Sequence, residues 1–214
     1  MKSTNIVIVN YGMGNLHSIA RAVNHVSSHT NIVISSKKQD IEKADKIILP
    51  GQGAMRDCML NLKNYDLLDS ILNILKNKPL FGICVGQQML FSKSEEGDVH
   101  CLNFLPGIVK HFRSNNLFLN NDIKLKVPHM GWNTVQQNVK HHMWKGIPNN
   151  EFFYFIHSYY VIPEESSIIA STSSYGITFA SAIIKDNVFA TQFHPEKSSN
   201  YGLMLYKNFI EWQP

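Results

Sequence analysis

Along the first hundred residues, short apolar runs alternate with amphipathic stretches. Ile6 to Val9 is a β-branched run that stops at the turn Asn10-Tyr11-Gly12-Met13-Gly14-Asn15. Leu16, Ile19, Ala20, Val23 and Val26 then recur at helical spacing. Ile32 to Ile34 and Lys46 to Leu49 read as the second and third strands, the latter running into Pro50-Gly51-Gln52-Gly53. Ala54, Met55, Cys58, Met59 and Leu62 share one helical face, Leu67, Leu68, Ile71, Leu72 and Leu75 another, and Leu80 to Ile83 is the next buried strand. Short buried strands separated by amphipathic helices predict β-α-β units. The expected fold class is therefore α/β, an open and mostly parallel sheet with helices on both faces.

The second half changes character. Ile108 to Phe112, Ile123 to Val127, Glu151 to Ile156, Ser181 to Ile184 and Val188 to Phe193 read as strands with few helices between them, which predicts antiparallel additions to the sheet. A last helix is expected from about Ser199 to Trp212, with Gly202, Leu205, Phe209 and Trp212 on one stripe. No repeat or linker interrupts the chain, so residues 1–214 are expected to form a single domain.

With 44% hydrophobic residues and only 17% charged, 214 residues can bury a sizeable core, and the net charge of +4 comes without a basic block. Neither disorder nor nucleic-acid binding is suggested. Three cysteines without a C-x-x-C pair indicate neither a disulfide framework nor a thiolate metal site. The N-terminal apolar run is too short for a signal peptide or a membrane span, and no later run is long enough to cross a bilayer, so a cytoplasmic location away from membranes is expected.

The candidate chemistry starts at Gly82-Ile83-Cys84-Val85-Gly86, a cysteine between two glycines where a strand meets a helix. This is the pattern of a nucleophile elbow with Cys in place of Ser, the glycines being expected to let the backbone take a strained turn. A small buried cysteine at a tight turn would read the same way. What separates the two is Gln192-Phe193-His194-Pro195-Glu196, at the end of another strand: a nucleophile needs a base, and the base an orienting group. Residues two apart in extended chain point the same way, so Glu196 is expected to reach the His194 imidazole. Glycines at Pro50-Gly51-Gln52-Gly53, also at a strand's carboxyl end, are placed to offer N–H groups to an oxyanion. Gly12-x-Gly14 lacks the third glycine of a dinucleotide fingerprint and no Walker A sequence exists, so no cofactor is expected; the histidines lack metal-ligand spacing, so no metal is expected either.

These three blocks resemble a triad-type, class I glutamine amidotransferase. Asn10-Tyr11-Gly12-Met13-Gly14-Asn15-Leu16, Pro128-His129-Met130-Gly131-Trp132-Asn133 and Tyr154-Phe155-Ile156-His157-Ser158-Tyr159-Tyr160 resemble more narrowly the glutaminase subunits of imidazole glycerol phosphate synthases, from about residue 5 onward. The resemblance implies that Cys84 attacks the glutamine amide to give a glutamyl thioester, that His194 protonates the leaving ammonia and then activates water, and that Glu196 holds the imidazole. It implies an oxyanion hole from Val85 and the loop Gly51, Gln52 and Gly53, formed after a loop rearrangement. It also implies a substrate pocket with Gln88, Glu96 on the glutamine α-amino group (or Glu95, one position earlier), and His157, Ser158 and Tyr159 at its border. Gln87 stands where Met is commoner and Gln52 where Val is common, and the second departure bears on how readily that loop reorients.

Free ammonia is mostly protonated at neutral pH, so delivery to a partner is expected. The resemblance implies a heterodimer with a (β/α)8-barrel cyclase subunit that receives ammonia through a channel and makes imidazole glycerol phosphate in histidine biosynthesis. Asn15, Met130, Trp132, Tyr154 and Lys197 match interface positions, although the aromatics among them would also suit a core. Glutaminase chemistry serving another acceptor such as a surface sugar, an inactive binding protein on this scaffold, and a stand-alone cysteine hydrolase are the competing readings.

Overall fold

The computed structural model describes residues 4–114 and 125–214. In the first half, strands β1 (Thr4–Val9), β2 (Thr30–Ser35), β3 (Lys46–Gly51) and β4 (Leu80–Cys84) alternate with helices α1 (Leu16–Val26), α2 (Lys38–Lys43), α3 (Met55–Asn64) and α4 (Leu68–Asn77), and the one-turn α5 (Val85–Gln88) follows β4 directly. The second half contributes β5 (Lys93–Ser94), β6 (Val99–His100), β7 (Gly107–His111), β8 (His129–Gln137), β9 (Glu151–His157), β10 (Tyr159–Pro163), β11 (Ile169–Tyr175), β12 (Ile177–Lys185), β13 (Val188–Thr191) and the closing helix α6 (Ser199–Glu211).

Nine strands form one sheet in the order β2-β1-β3-β4-β13-β12-β11-β8-β9. The first five are parallel and the rest antiparallel, as the change of pattern predicts. Every residue of β3, β4 and β13 is buried, which explains why they read as continuous apolar runs rather than alternating ones. Helix α6 packs beside α1, and α2 beside α4; with the strand order β2-β1-β3-β4, the right-handed crossover rule assigns α1 to one face and α2, α3 and α4 to the other. A second sheet, β10-β7-β5-β6, sits over the carboxyl ends of the parallel strands and delivers two of the segments that matter below, Glu95–Asp98 and Ser158–Tyr159.

Lys46, at the start of β3, fastens the far end of α6. Its ammonium donates to the carbonyls of Phe209, Ile210 and Trp212, satisfying acceptors that a helix C-terminus leaves open. The expected strand Ile123 to Val127 lies partly outside the described residues, at 123 and 124; Leu125 to Val127 are irregular, and β8 begins at His129. Apolar alternation over five residues is a weak signal without a ladder partner, and β8 takes its partners from β9 and β11. Strands β8, β10 and β11 escape a reading of apolar runs because they are rich in Ser, Thr, Tyr and Gln.

Candidate active site

Three adjacent parallel strands end at one place. Cys84 is the last residue of β4, the Gly51-Gln52-Gly53 loop leaves β3, and His194 lies just beyond β13. Ligand crevices of open α/β sheets form outside strand carboxyl ends, so this convergence is topologically placed.

Cys84 has φ 57° and ψ −112°, a conformation that costs a non-glycine residue roughly 1–3 kcal/mol and survives only where the surroundings enforce it. The strained turn expected between the two glycines is present, and its positive φ falls on the cysteine itself. The glycines are needed for closeness: a Cβ on Gly86 would lie 2.0 Å from the Leu49 carbonyl oxygen, and one on Gly82 would lie 2.9 Å from Ala190 Cβ. The elbow is thus pressed against β3 on one side and β13 on the other.

His194 Nδ1 lies 2.8 Å from Glu196 Oε1, and both side chains are almost fully buried. The contact is as expected, but Pro195–Lys197 forms a 3₁₀ turn rather than extended chain. Tyr206 of α6 donates to the other Glu196 oxygen at 3.4 Å. The His194 N–H donates to Tyr154 O, and Ser198 Oγ donates back to the His194 carbonyl, so the turn is fixed at both ends. Burial alone would depress the His194 pKa, but the facing Cys84 sulfur and the Glu196 carboxylate overcome it and raise the imidazole to about 10. His194 is therefore protonated at neutral pH beside the cysteine, the arrangement of an activated thiol. Burial pushes the Cys58 thiol up to about 11 and that of Cys101 to about 12, which makes both inert.

A cavity of about 270 Å³ opens beside Cys84, a size for a small molecule. Asn15, Gln52, Gly53, Cys84, Val85, Gln88, Glu96, His157, Ser158, Tyr159, His194 and Lys197 line it. Gly51 lies beneath the elbow instead and Glu196 behind His194. Glu96 faces the cavity, its carboxylate accepting the Met55 N–H at the start of α3, and burial holds it above the ordinary carboxylate range. Glu95 instead points outward to accept the His111 N–H, so the pocket carboxylate is Glu96.

Behind the pocket runs a chain of hydrogen bonds that sequence reasoning missed. His157 Nδ1 lies 2.7 Å from the Tyr159 carbonyl, which can only accept, so Nδ1 carries the proton and Nε2 is an acceptor. His129 Nδ1–H donates to it at 2.9 Å, leaving His129 Nε2 to accept from Asn133 at 3.3 Å. Burial lowers His129 to about 4; burial and then the neighbouring His129 lower His157 to about 3. Both rings are neutral, as this bonding requires. Among the described residues no group of three His, Cys, Asp or Glu side chains converges as a metal site.

The family model described as Glutamine amidotransferase class-I matches residues 7–212. This chain belongs to that family. The imidazole glycerol phosphate synthase subunit HisH of Nitrosospira multiformis is 48% identical to the amidotransferase over 211 residues, 99% of each chain, and that of Aromatoleum aromaticum 46% identical over 99% of this chain and all of the relative. Among solved structures, PurLQS from Thermotoga maritima superposes with a TM-score of 0.71 at 14% identity over 99% of both chains. A crystal structure of a glutamine amidotransferase gives 0.66 at 16%, covering 96% of this chain and 97% of that one. These two likenesses show the fold.

The expected interface residues of the amidotransferase gather beside the cavity mouth. Met130 and Trp132 point outward from β8, 65% and 51% exposed, with Trp132 edge-on to Tyr154 and the Lys197 ammonium 5.6 Å from the Tyr154 ring centre. Their exposure excludes Met130 and Trp132 from the core. Phe152 and Ile156, opposite on β9, extend the same apolar face; the alternation of Glu151–His157 was the available signal for them.

Proposed function

We propose that this chain is the glutaminase subunit of an imidazole glycerol phosphate synthase, hydrolysing glutamine to glutamate and ammonia and passing the ammonia to a separate cyclase subunit in histidine biosynthesis. The observation that carries the chemistry is the meeting of Cys84 with the His194–Glu196 pair at one small pocket. The acceptor is read from the HisH subunits, whose match extends over the full chain, including the β8–β9 blocks outside the triad.

In this reading the Cys84 thiolate attacks the carboxamide carbon of glutamine. The tetrahedral oxyanion is held by the Val85 N–H and by an N–H of the Gly51-Gln52-Gly53 loop. His194, held by Glu196, gives its proton to the departing nitrogen, which leaves as ammonia from the glutamyl thioester. Neutral His194 then takes a proton from water as that water attacks the thioester carbon, and glutamate leaves with the sulfur as thiolate again. Gln88 and the His157–Tyr159 segment shape the pocket, and the Glu96 carboxylate pairs with the α-ammonium of glutamine.

The partner is a (β/α)8-barrel cyclase that docks on the apolar strip of Met130, Trp132 and Tyr154, with Asn15 and Lys197 at the rim, so that ammonia crosses directly into a channel. Both subunits work in the cytoplasm; no described helix is long and apolar enough to cross a membrane. The test is glutamate release by the purified chain, alone and with a cyclase subunit plus its nucleotide ligand. Low activity alone and a large rise in the mixture are expected, whereas full activity alone identifies an independent hydrolase. Cys84→Ala abolishes release while keeping the fold and the partner; residual turnover in that variant removes Cys84 as nucleophile.

A further inference from the structure

The amide orientations around Cys84 are fixed one after another, starting from a backbone carbonyl. Tyr159 O accepts from His157 and, at 3.0 Å, from Gln88, so the Gln88 side chain must present its NH2 group there. The second N–H of that group points 2.9 Å to Gln192, so the near atom of Gln192 must be its oxygen. The NH2 of Gln192 is thereby turned the other way, toward the Cys84 sulfur at 3.7 Å. Gln192 is fully buried and Gln88 nearly so, so water has no access to swing either amide around. A flipped Gln192 would set its oxygen against the Cys84 sulfur and leave a Gln88 N–H facing another donor.

We propose that Gln192 is a catalytic residue: its amide, locked by Gln88, donates an N–H to the Cys84 sulfur and stabilises the thiolate at the start and end of each turnover. The proposal rests on Cys84 being the nucleophile. A thiolate in a closed pocket needs donors in place of water, and His194 must release the sulfur to follow the ammonia and then the water. A second donor keeps the sulfur solvated while the imidazole is engaged elsewhere. The titratable groups around Cys84 from the other elements are His194 beyond β13, Tyr11 beyond β1 and Cys58 on α3, with Glu96, His157 and Lys197 lining the same cavity. Burial raises both Tyr11 and Cys58 and lowers His157, so these three stay neutral near pH 7; none of these groups is altered by substitution at Gln192.

The test is the pH profile of Cys84 alkylation by iodoacetamide in the full chain, read by mass spectrometry of the Cys84 peptide with Cys101 as internal reference. It needs no glutamine turnover. Gln192→Met, which keeps length and neutrality but has no donor, should move the midpoint up by about one pH unit, the weight of one hydrogen bond to a charged sulfur. Gln192→Glu should move it further, because it keeps the shape and the acceptor for Gln88 while setting a carboxylate against the sulfur. It carries the test if the Met variant fails to fold. An unmoved profile in folded Gln192→Met, or in folded Gln192→Glu, overturns the proposal. A wild-type Cys84 no more reactive than Cys101 overturns the nucleophile reading and the proposal with it.

Discussion

Acidification to about pH 5 should destabilise this protein markedly through two buried histidines. His129 and His157 each have an ordinary pKa of 6.5, lowered in the fold to about 4 and about 3, chiefly by burial. Well above 6.5 neither ring binds a proton in either state, and these two histidines subtract nothing from stability. As the pH falls below 6.5 the unfolded chain takes up protons that the fold refuses, so stability drops until the folded values are reached. At pH 5 each ring is about 1.5 units below its unfolded pKa, which costs about 2 kcal/mol per histidine and about 4 kcal/mol together. That is a large share of the roughly 5–15 kcal/mol of a whole domain. His194 acts in the opposite sense: its contribution is present below 6.5 and fades as the pH rises toward 10. Comparison with His129→Asn removes that background, because Asn keeps a donor near the position of Nδ1 while one titrating ring disappears. The variant loses stacking between Phe155 and Tyr175, at 4.9 and 4.0 Å, so it starts less stable, but its further loss between pH 6.5 and 5 should be about half the wild-type loss. Urea unfolding at three pH values measures both. A wild-type loss below about 1 kcal/mol over that window, or an equal loss in His129→Asn, would refute the reasoning.

Gly86→Ala should cost more than about 3 kcal/mol or prevent folding, because its Cβ would lie 2.0 Å from the Leu49 carbonyl oxygen; a soluble variant with wild-type urea midpoint contradicts the packing argument. Trp132→Ala should change the chain's own stability by less than about 0.5 kcal/mol and weaken cyclase binding at least ~10-fold, as calorimetric titration would report; undiminished binding moves the partner face elsewhere. Glu96→Gln keeps an acceptor for the Met55 N–H but loses the charge, so KM for glutamine should rise ~10-fold or more with a smaller change in kcat; an unchanged KM removes Glu96 from the substrate.

Strands β1, β3, β4 and β13 were legible because parallel strands covered on both faces are apolar throughout, and the turn after each is short and glycine- or proline-marked. The triad candidates were legible for a related reason: each sits within a few residues of a strand end, so local pattern and position coincide. Strands β8 and β11 were not, because several of their buried positions, His129, Ser171 and Ser173, are polar groups satisfied by partners on other strands. Ser171 pairs with Ser181 at 2.9 Å and Ser173 Oγ donates to Thr134 O at 2.7 Å, bonds that let serine occupy a core where apolar patterning predicts none.

The same limit separates the parts of the site. A nucleophile elbow is a local device, its strain set by neighbours within two residues and two adjoining strands. The orientation of the amides around the sulfur is a non-local one: Gln88 bonds to Tyr159, 71 residues away, and to Gln192, 104 away. Gln192 itself sits two residues before His194 in a motif that draws attention to the histidine. Only the fold reveals that its NH2 has no other direction to point. The strand pair that holds His129 and His157 inward also holds Met130, Trp132 and Ile156 outward, because side chains alternate along a strand. A partner pressing on the outer face of β8 and β9 therefore loads the same two strands whose inward His129 and His157 lead by hydrogen bonds to the Tyr159 carbonyl of β10, the first fixed point of the amide chain that ends at Cys84.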